Sequence, residues 1–254
     1  GIGALKDNTE GATNTALGDS SLAANTTGPQ NVAVGGDALA ANTTGVQNTA
    51  SGYQAMKLNT TGAANVATGH AALYNNTTGG TNVAVGYYAL LSNTTASDNT
   101  AVGHDSLRTN TTGTGNVAVG KEALKLSTTA GTNTAIGGKA GGNITTGVAN
   151  TLVGYMSGNN NGVMTTAGQN TLLGAYTDTS SVSGAYQIAI GYDCNSVGDN
   201  YVTIGKHHNS ADRIYNQYTA NATWTRVSDE RVKKDIATNT DCGLAFINDL
   251  RTVT

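Results

Sequence analysis

NVAVGYYALLSNTTASD (Asn82–Asp98) is followed at once by NTAVGHDSLRTNTTGTG (Asn99–Gly115), and the two seventeen-residue stretches align position by position. The match extends in both directions. Asn14, Asn31, Asn48, Asn65, Asn82, Asn99, Asn116, Asn133 and Asn150 fall 17 residues apart, each opening a small apolar run closed by Gly. The unit reads N-(T/V)-A-(V/I/L)-G-x-x-A-L-x-x-N-T-T-G-x-x. Later steps are irregular: NTLLG at Asn170 comes 20 residues after Asn150, QIAIG at Gln187 returns to 17, and YVTIG at Tyr201 follows after 14. Self-similarity at a short fixed period is the mark of a solenoid, in which each turn buries its apolar side against its neighbours. The register is already in force at Gly1, 17 residues before Gly18, which predicts that the chain is a piece of a longer one.

The turns are strands and corners. Two Gly and a Thr-Thr pair per unit oppose a helix, and the NVAVG run is rich in β-branched residues. Side chains alternate along a strand, so Val32 and Val34 point one way and Ala33 the other. The aliphatic fourth position (Leu17, Val34, Val85, Val102, Val119, Ile136, Val153, with Ser51 and Thr68 as exceptions) is assigned to the interior of the coil. The Leu row (Leu22, Leu39, Met56, Leu73, Leu90, Leu107, Leu124) is assigned to a facing second short strand. The closing Gly and the NTTG segment make the corners. The Ala rows (Ala33, Ala50, Ala67; Ala38, Ala55, Ala72) are then a smooth surface for close approach of other chains. Two or three sizeable apolar residues per turn make a thin core, and a closed homotrimer is the expected way to complete it. The predicted fold class is all-β: a parallel β-roll or β-solenoid of 17-residue turns, expected to assemble as a homotrimeric fibre and ending in a short C-terminal α+β segment.

Composition agrees and excludes several classes. Gly (34), Thr (41) and Asn (29) make up 104 of 254 residues, whereas Trp and Phe occur once each, too few large apolar side chains for a conventional α/β enzyme. No apolar run approaches the ~20 residues of a membrane span, so no membrane insertion is expected. A net charge of −3 leaves no electrostatic footprint for nucleic acid. Cys194 and Cys242 lie in different regions and read as unpaired. His207 and His208 read as a solvated strand end rather than metal ligands, because neighbours along a strand face opposite ways. No metal and no cofactor is expected: there is no Asp ladder for calcium, and no Gly-Lys-Thr/Ser cradle for phosphate. Tyr53, Tyr87, Tyr155 and Tyr192 share the position after the closing Gly, where capping of the roll edge is the favoured reading over an aromatic stripe for sugar. His70 and His104 fall in the same place as surface residues. The sequons at Asn25, Asn42, Asn59, Asn76, Asn93 and Asn110 are products of the repeat, better read as stacked turns than as glycan sites. The Thr pair sits at a corner, which argues against an ice-binding face.

The NVAVGxxAL turn resembles the NSVAIG-type repeat of trimeric autotransporter adhesin heads, over residues 1 to about 205. That resemblance implies parallel β-rolls assembled as trimers. The tail differs. Residues 1–205 carry 16 charged side chains, whereas 206–254 carry 13 in 49 residues, together with the sole Trp224 and sole Phe246. There WTRVSDERVKKDI (Trp224–Ile236) and GLAFINDLRTV (Gly243–Val253) resemble the start of the endosialidase-type intramolecular chaperone of phage tail fibres and spikes. The matching residues are Ser228, Asp229, Arg231, Val232 and Lys233, then Gly243, Leu244, Ile247, Asn248, Leu250 and Arg251. The resemblance implies a chaperone that guides trimerisation and is released by self-cleavage, with Ser228 as nucleophile, Lys233 as its base and Val227–Ser228 as the scissile bond. A desolvated Lys of lowered pKa is able to activate a hydroxyl in this way. This is single-turnover autoproteolysis, with no substrate-directed activity.

The expected organisation is therefore a shaft over 1–205, a connector over 206–227 and the beginning of a chaperone over 228–254. The expected function is a structural fibre of a virus, a phage tail fibre or spike, located in the virion. Its partners would be itself, other virion or tail proteins, and a host-surface glycan or protein receptor, with contact through the irregular stretch Tyr155–Tyr186. The alternative is a bacterial surface adhesin or extracellular filament subunit at the cell surface. A glycan depolymerase fragment comes third.

Overall fold

The computed structural model describes residues 1–160, 164–207, 212–218 and 225–226. They form one parallel β-solenoid without helices. Ten three-residue strands, β1 (Thr15–Leu17) to β10 (Thr171–Leu173), are followed by β11 (Ile188–Tyr192) and β12 (Tyr201–Lys206). Each pairs parallel with the next in sequence, with equivalent residues opposite one another: Ala84 lies between Ala67 and Ala101. Eleven such steps at the ~4.8 Å strand spacing make a rod of roughly 50 Å. The parallel order ends at β12. Beyond it β13 (Arg213–Gln217) and β14 (Thr225–Arg226) pair antiparallel.

Backbone hydrogen bonds between turns continue around the corners. Gly86 and Tyr88 donate back to Thr68 O (2.8 Å) and His70 O (3.1 Å), whereas Leu90 and Ser92 donate forward to Ser106 O and Arg108 O (both 3.0 Å). This requires left-handed residues at fixed places, including the bulky Tyr88 (φ 57°) and Leu90 (φ 51°). Each costs on the order of 1 kcal/mol, and the stacked hydrogen bonds hold them there. At the strand-closing position only Gly is accommodated. Gly86 has φ 138°, and a Cβ there would sit 2.5 Å from Gly103 O.

The interior is the reverse of the assignment made from alternation. Ala33, Ala50, Ala67, Ala84 and their equivalents are fully buried, while Val34 is 36%, Ile136 42% and Leu17 64% exposed. The fourth-position row therefore points outward, and the Ala row packs against the buried Leu row. That Leu row belongs to left-handed turns rather than to a second strand. The physical reason is width. A 17-residue turn encloses room for one Leu facing one Ala, and a Val in the Ala row would overfill it.

Volume compensation confirms the packing. Where the Leu row falls to Gly141 and Gly158, the Ala row rises to Leu152 and Leu172. A Cβ on Gly141 would lie 2.7 Å from Leu152 and 2.9 Å from Leu124.

Two buried amide ladders flank this core. In the first, running from Asn14 to Asn170, Asn82 N and Nδ2 both donate to Asn65 Oδ1 (2.9 and 3.1 Å), and Nδ2 also donates to Ala96 O (2.9 Å). The second joins Asn8, Asn25, Asn42, Asn59, Asn76, Asn93 and Asn110. It stops at Ser127, leaving Asn110 Oδ1 and Ser127 Oγ without partners. Replacing Ser127 by Asn extends the ladder by one amide, contributes about 1 kcal/mol and raises Tm. Asn76→Ala, which breaks the ladder in its middle, lowers Tm. Thermal melts by circular dichroism read both, and a lower Tm for Ser127→Asn would refute the ladder as a source of stability.

Candidate functional site

Two surfaces of the rod carry side chains that the core does not use. The first is the strand face. It presents one file running Thr15, Val32, Thr49, Val66, Val83, Thr100, Val117 and onward, and a second file of the outward Leu, Val and Ile residues. Ser51 and Thr68 are the interruptions in the second file, which continues to Leu173, 47% exposed.

The second surface lies beyond the closing Gly corner. Here the first position after Gly stacks from turn to turn. Ring centroids are 5.5 Å apart for Tyr53–His70, 5.1 Å for His70–Tyr87 and 5.1 Å for Tyr87–His104, the last two pairs nearly parallel at 17° and 15°. Tyr88 packs on Tyr87 with centroids 4.0 Å apart, and the Arg108 guanidinium lies 5.4 Å over the Tyr88 ring. The Tyr87 phenol is pushed above its ordinary 10.0, chiefly by its hydrogen bond with Tyr88. A second group, Tyr155, Tyr176 and Tyr192, meets edge to face. The aromatic side chains after the closing Gly thus stack in two groups, and His70 and His104 belong to the first.

Charge is concentrated on the same surface. Arg108 and Lys125 approach the largely buried Asp105 at 3.5 and 3.8 Å, while Lys121 and Lys139 flank Glu122 at 3.7 and 4.0 Å. Lys57 Nζ donates to Asp37 Oδ2 at 3.0 Å. All six basic residues in 1–205, Lys6 included, therefore stand one, two or five residues after a Gly at the strand-closing position of the unit. Beside Lys125 and Lys139 the surface opens into a cleft of about 250 Å³, also lined by Glu122, Gly142, Asn143 and Asn159. Sequence reading found the rings but missed Tyr88, Asp105, Arg108, Lys121, Lys125 and Lys139. They stand one, two or five residues after the closing Gly, so sorting charged residues by position in the 17-residue unit would have placed them together.

The other expected residues separate into places. The six sequon Asn side chains are fully buried in the second ladder, where their Nδ2 atoms are committed. His207 Nδ1 lies 3.4 Å from Asp193 Oδ2, and His208 is outside the described residues. Among the described residues no three His, Cys, Asp or Glu side chains gather in a way that could hold a metal, and no helix is long and apolar enough to cross a membrane. Cys194 is buried, and burial pushes its thiol pKa up. In the irregular stretch Val182 and Tyr186 stand exposed. Ser228 and Lys233, and with them the expected autoproteolytic site and the 228–254 segment, lie outside the described residues.

The fold defines a class, the parallel β-solenoid repeat proteins. Comparison with known protein families, curated proteins and solved structures finds no match.

The Asp37–Lys57 pair gives the band a pH signature. The hydrogen bond from Lys57, joined by one from Gln54, holds Asp37 below its ordinary 3.8 against the opposing effect of burial; the same bond raises Lys57 above 10.5. A depressed carboxyl contributes stability above its unfolded value and loses it as pH falls through the folded one. A raised amine loses its contribution as pH rises through its folded value. Lys57→Met is therefore expected to lower Tm by a few degrees at most at pH 7 and to match the wild type at pH 2, as read by thermal melts at both pH values.

Proposed function

We propose that the chain is the shaft of a homotrimeric fibre in a virion, a tail fibre or spike that attaches to a host surface. In this reading its C-terminal segment is the beginning of a self-cleaving chaperone that assembles the trimer. The observation that carries the self-association is the strand face, on which a largely apolar file from Leu17 to Ile190, broken at Ser51 and Thr68, runs outward beside a file of Thr and Val from β1 to β11. Scattered apolar residues on a surface need no explanation, but a strip of this length does. Three copies placed with this face towards a common axis cover it, each level meeting its own equivalents. The strip measures roughly 50 Å by 10 Å on strand dimensions, less than the ~800 Å² per partner of a stable interface. A second assembly element is thus required, and the charged, aromatic-containing tail from residue 206 supplies a candidate. Its resemblance to phage fibre chaperones supports a virion setting and a mechanical role: reach and display rather than turnover of a substrate.

Sedimentation equilibrium of the protein carrying its complete C-terminus is expected to give trimers. Val102→Lys with Val119→Lys should give monomers that keep the β-rich circular dichroism spectrum, because both side chains point out of the core. Monomeric wild-type protein would sink the trimer. For the cleavage, mass spectrometry of the same protein is expected to find a released fragment beginning at Ser228, and Ser228→Ala to abolish it. An uncleaved wild type, or unchanged cleavage in the variant, removes autoproteolysis from the reading.

A further inference from the structure

The band beyond the Gly corner is connected by side-chain contacts through six successive turns. Asp37 holds Lys57 and Gln54, and Gln54 Nε2 donates to Tyr53 Oη (3.2 Å). From Tyr53 the ring stack leads to Tyr87 and Tyr88, Arg108 covers Tyr88, and Asp105 links Arg108 to Lys125 at the cleft. The path spans roughly 25 Å along the rod at the strand spacing.

Nothing in the fold asks for this clustering. The solenoid backbone tolerates Gly36, Gly138 and Ala175 at the ring position, and Ala71 and Met156 beside it. The rings nevertheless stack over consecutive turns, and the basic residues collect beside them. Three buried polar atoms here have no hydrogen-bond partner: His70 Nδ1 in the stack, Asp105 Oδ1, which has only the Arg108 ion pair at 3.5 Å, and Asn159 Oδ1 beside the cleft.

We infer that this band is a docking track for an extended, carboxylate-bearing polysaccharide lying along the rod axis. Three features select that ligand. Ring centroids repeat every 5.1–5.5 Å, close to the length of one sugar ring in an extended chain, so successive sugars meet equivalent groups. Because the rings stack on one another, they present rims bearing Tyr hydroxyls and His nitrogens, which suit sugar hydroxyls. Asp19, Asp37 and Asp193 offset Lys6 and Lys57 in the other turns, but over the three turns from Asp105 to Lys139 the four cations Arg108, Lys121, Lys125 and Lys139 outnumber the two anions Asp105 and Glu122. This leaves a net positive charge with carboxylates interleaved. A nucleic acid would demand a denser basic surface, because it carries one phosphate per ~1.7 Å of duplex. The cleft is below the ~300 Å³ of drug-sized pockets and accepts a single carboxylated sugar between Lys125 and Lys139.

The inference rests on the attachment reading for its biological setting only; binding itself is a property of the surface. The test uses the full chain in isothermal titration calorimetry with polygalacturonate, alginate and hyaluronate, with dextran as the neutral control and dextran sulfate as the dense polyanion. At least one carboxylated chain is expected to bind with dextran inert. Lys125→Ala with Lys139→Ala, and separately Tyr87→Ala, should each weaken it by about tenfold, the loss of one or two charge-assisted or stacking-edge contacts. Thr112→Ala, at an exposed position on the Asn-Thr-Thr corner, should leave binding unchanged, and circular dichroism confirms that each variant folds. Any one of four results overturns the track: no binding to all three carboxylated chains, equal binding of dextran, tighter binding of dextran sulfate than of every carboxylated chain, or full affinity in both band variants. Adhesion of the same proteins to host cells separates the two readings. Adhesion retained by band variants that have lost polysaccharide binding preserves attachment and shows that it does not run through the track. Polysaccharide binding without adhesion does the opposite.

Discussion

Every feature of this rod depends on one constraint: each turn must hydrogen-bond to the next with the same atoms. Backbone amides donate forwards and backwards around the corners, and the buried Asn amides repeat the connection inside, each Oδ1 taking a proton from the next turn. A residue that distorts one turn therefore disturbs two interfaces. The unusual composition follows from this. Gly is held where a Cβ would strike the next carbonyl, and Asn where a side chain must both donate and accept along one file. The first Thr of each Asn-Thr-Thr corner belongs to the same scheme, since Thr60 Oγ1 donates to Thr77 O (3.0 Å) in the next turn.

The constraint stops at the surface, and chemistry accumulates where it stops. The position after the closing Gly carries Gly36, Tyr53, His70, Tyr87, His104, Lys121, Gly138 and Tyr155 in successive turns. The backbone there is the same in all of them. Only outward side chains vary, so that file is free to hold a functional pattern without cost to the stack. Repeat proteins separate structure from recognition in this way, with constant positions building the scaffold and variable ones lining one face.

The period, the strand that follows each repeat Asn, the Gly corners and the parallel order were legible in the sequence, whereas the second strand expected at the Leu row is a left-handed turn. The sign of the strand was not legible. Alternation says that Val34 and Ala33 face opposite ways, but it does not say which faces in. The usual preference for burying the larger residue gives the wrong answer in a coil this narrow. A better signal was present: the outward file admits Ser51 and Thr68, whereas the inward file stays Ala from Ala16 to Ala135 and changes to Leu152 only where Gly141 makes room. Tolerance of hydroxyls marks solvent, and coordinated size changes mark a shared interior. The band was only half legible because its members are one to five residues apart in each unit and become neighbours through the stack.

Reversing the strand alters what a trimer would need. With the Leu, Val and Ile file and the Thr and Val file outward, the face turned to an axis is nearly uniform, so sliding one chain past another by a single turn exchanges one aliphatic or β-branched side chain for another at nearly every level. Such a slip loses about one-eleventh of the contact and meets no repulsion. Hydrophobic burial then drives association without fixing its register, as in strands whose sequence does not distinguish one pairing from the next. Register must come from whatever breaks the repeat. Ser51 and Thr68 do so weakly, and the 20-residue and 14-residue steps do so on the corners rather than on the strand face. The strongest break is the tail, where the period ends and nearly half of all the charged residues are found within 49 positions. On the proposed reading, the shaft supplies adhesive length and the tail supplies alignment. A chain built as a monotonous shaft therefore has a physical reason to carry an assembly device at its non-repeating end.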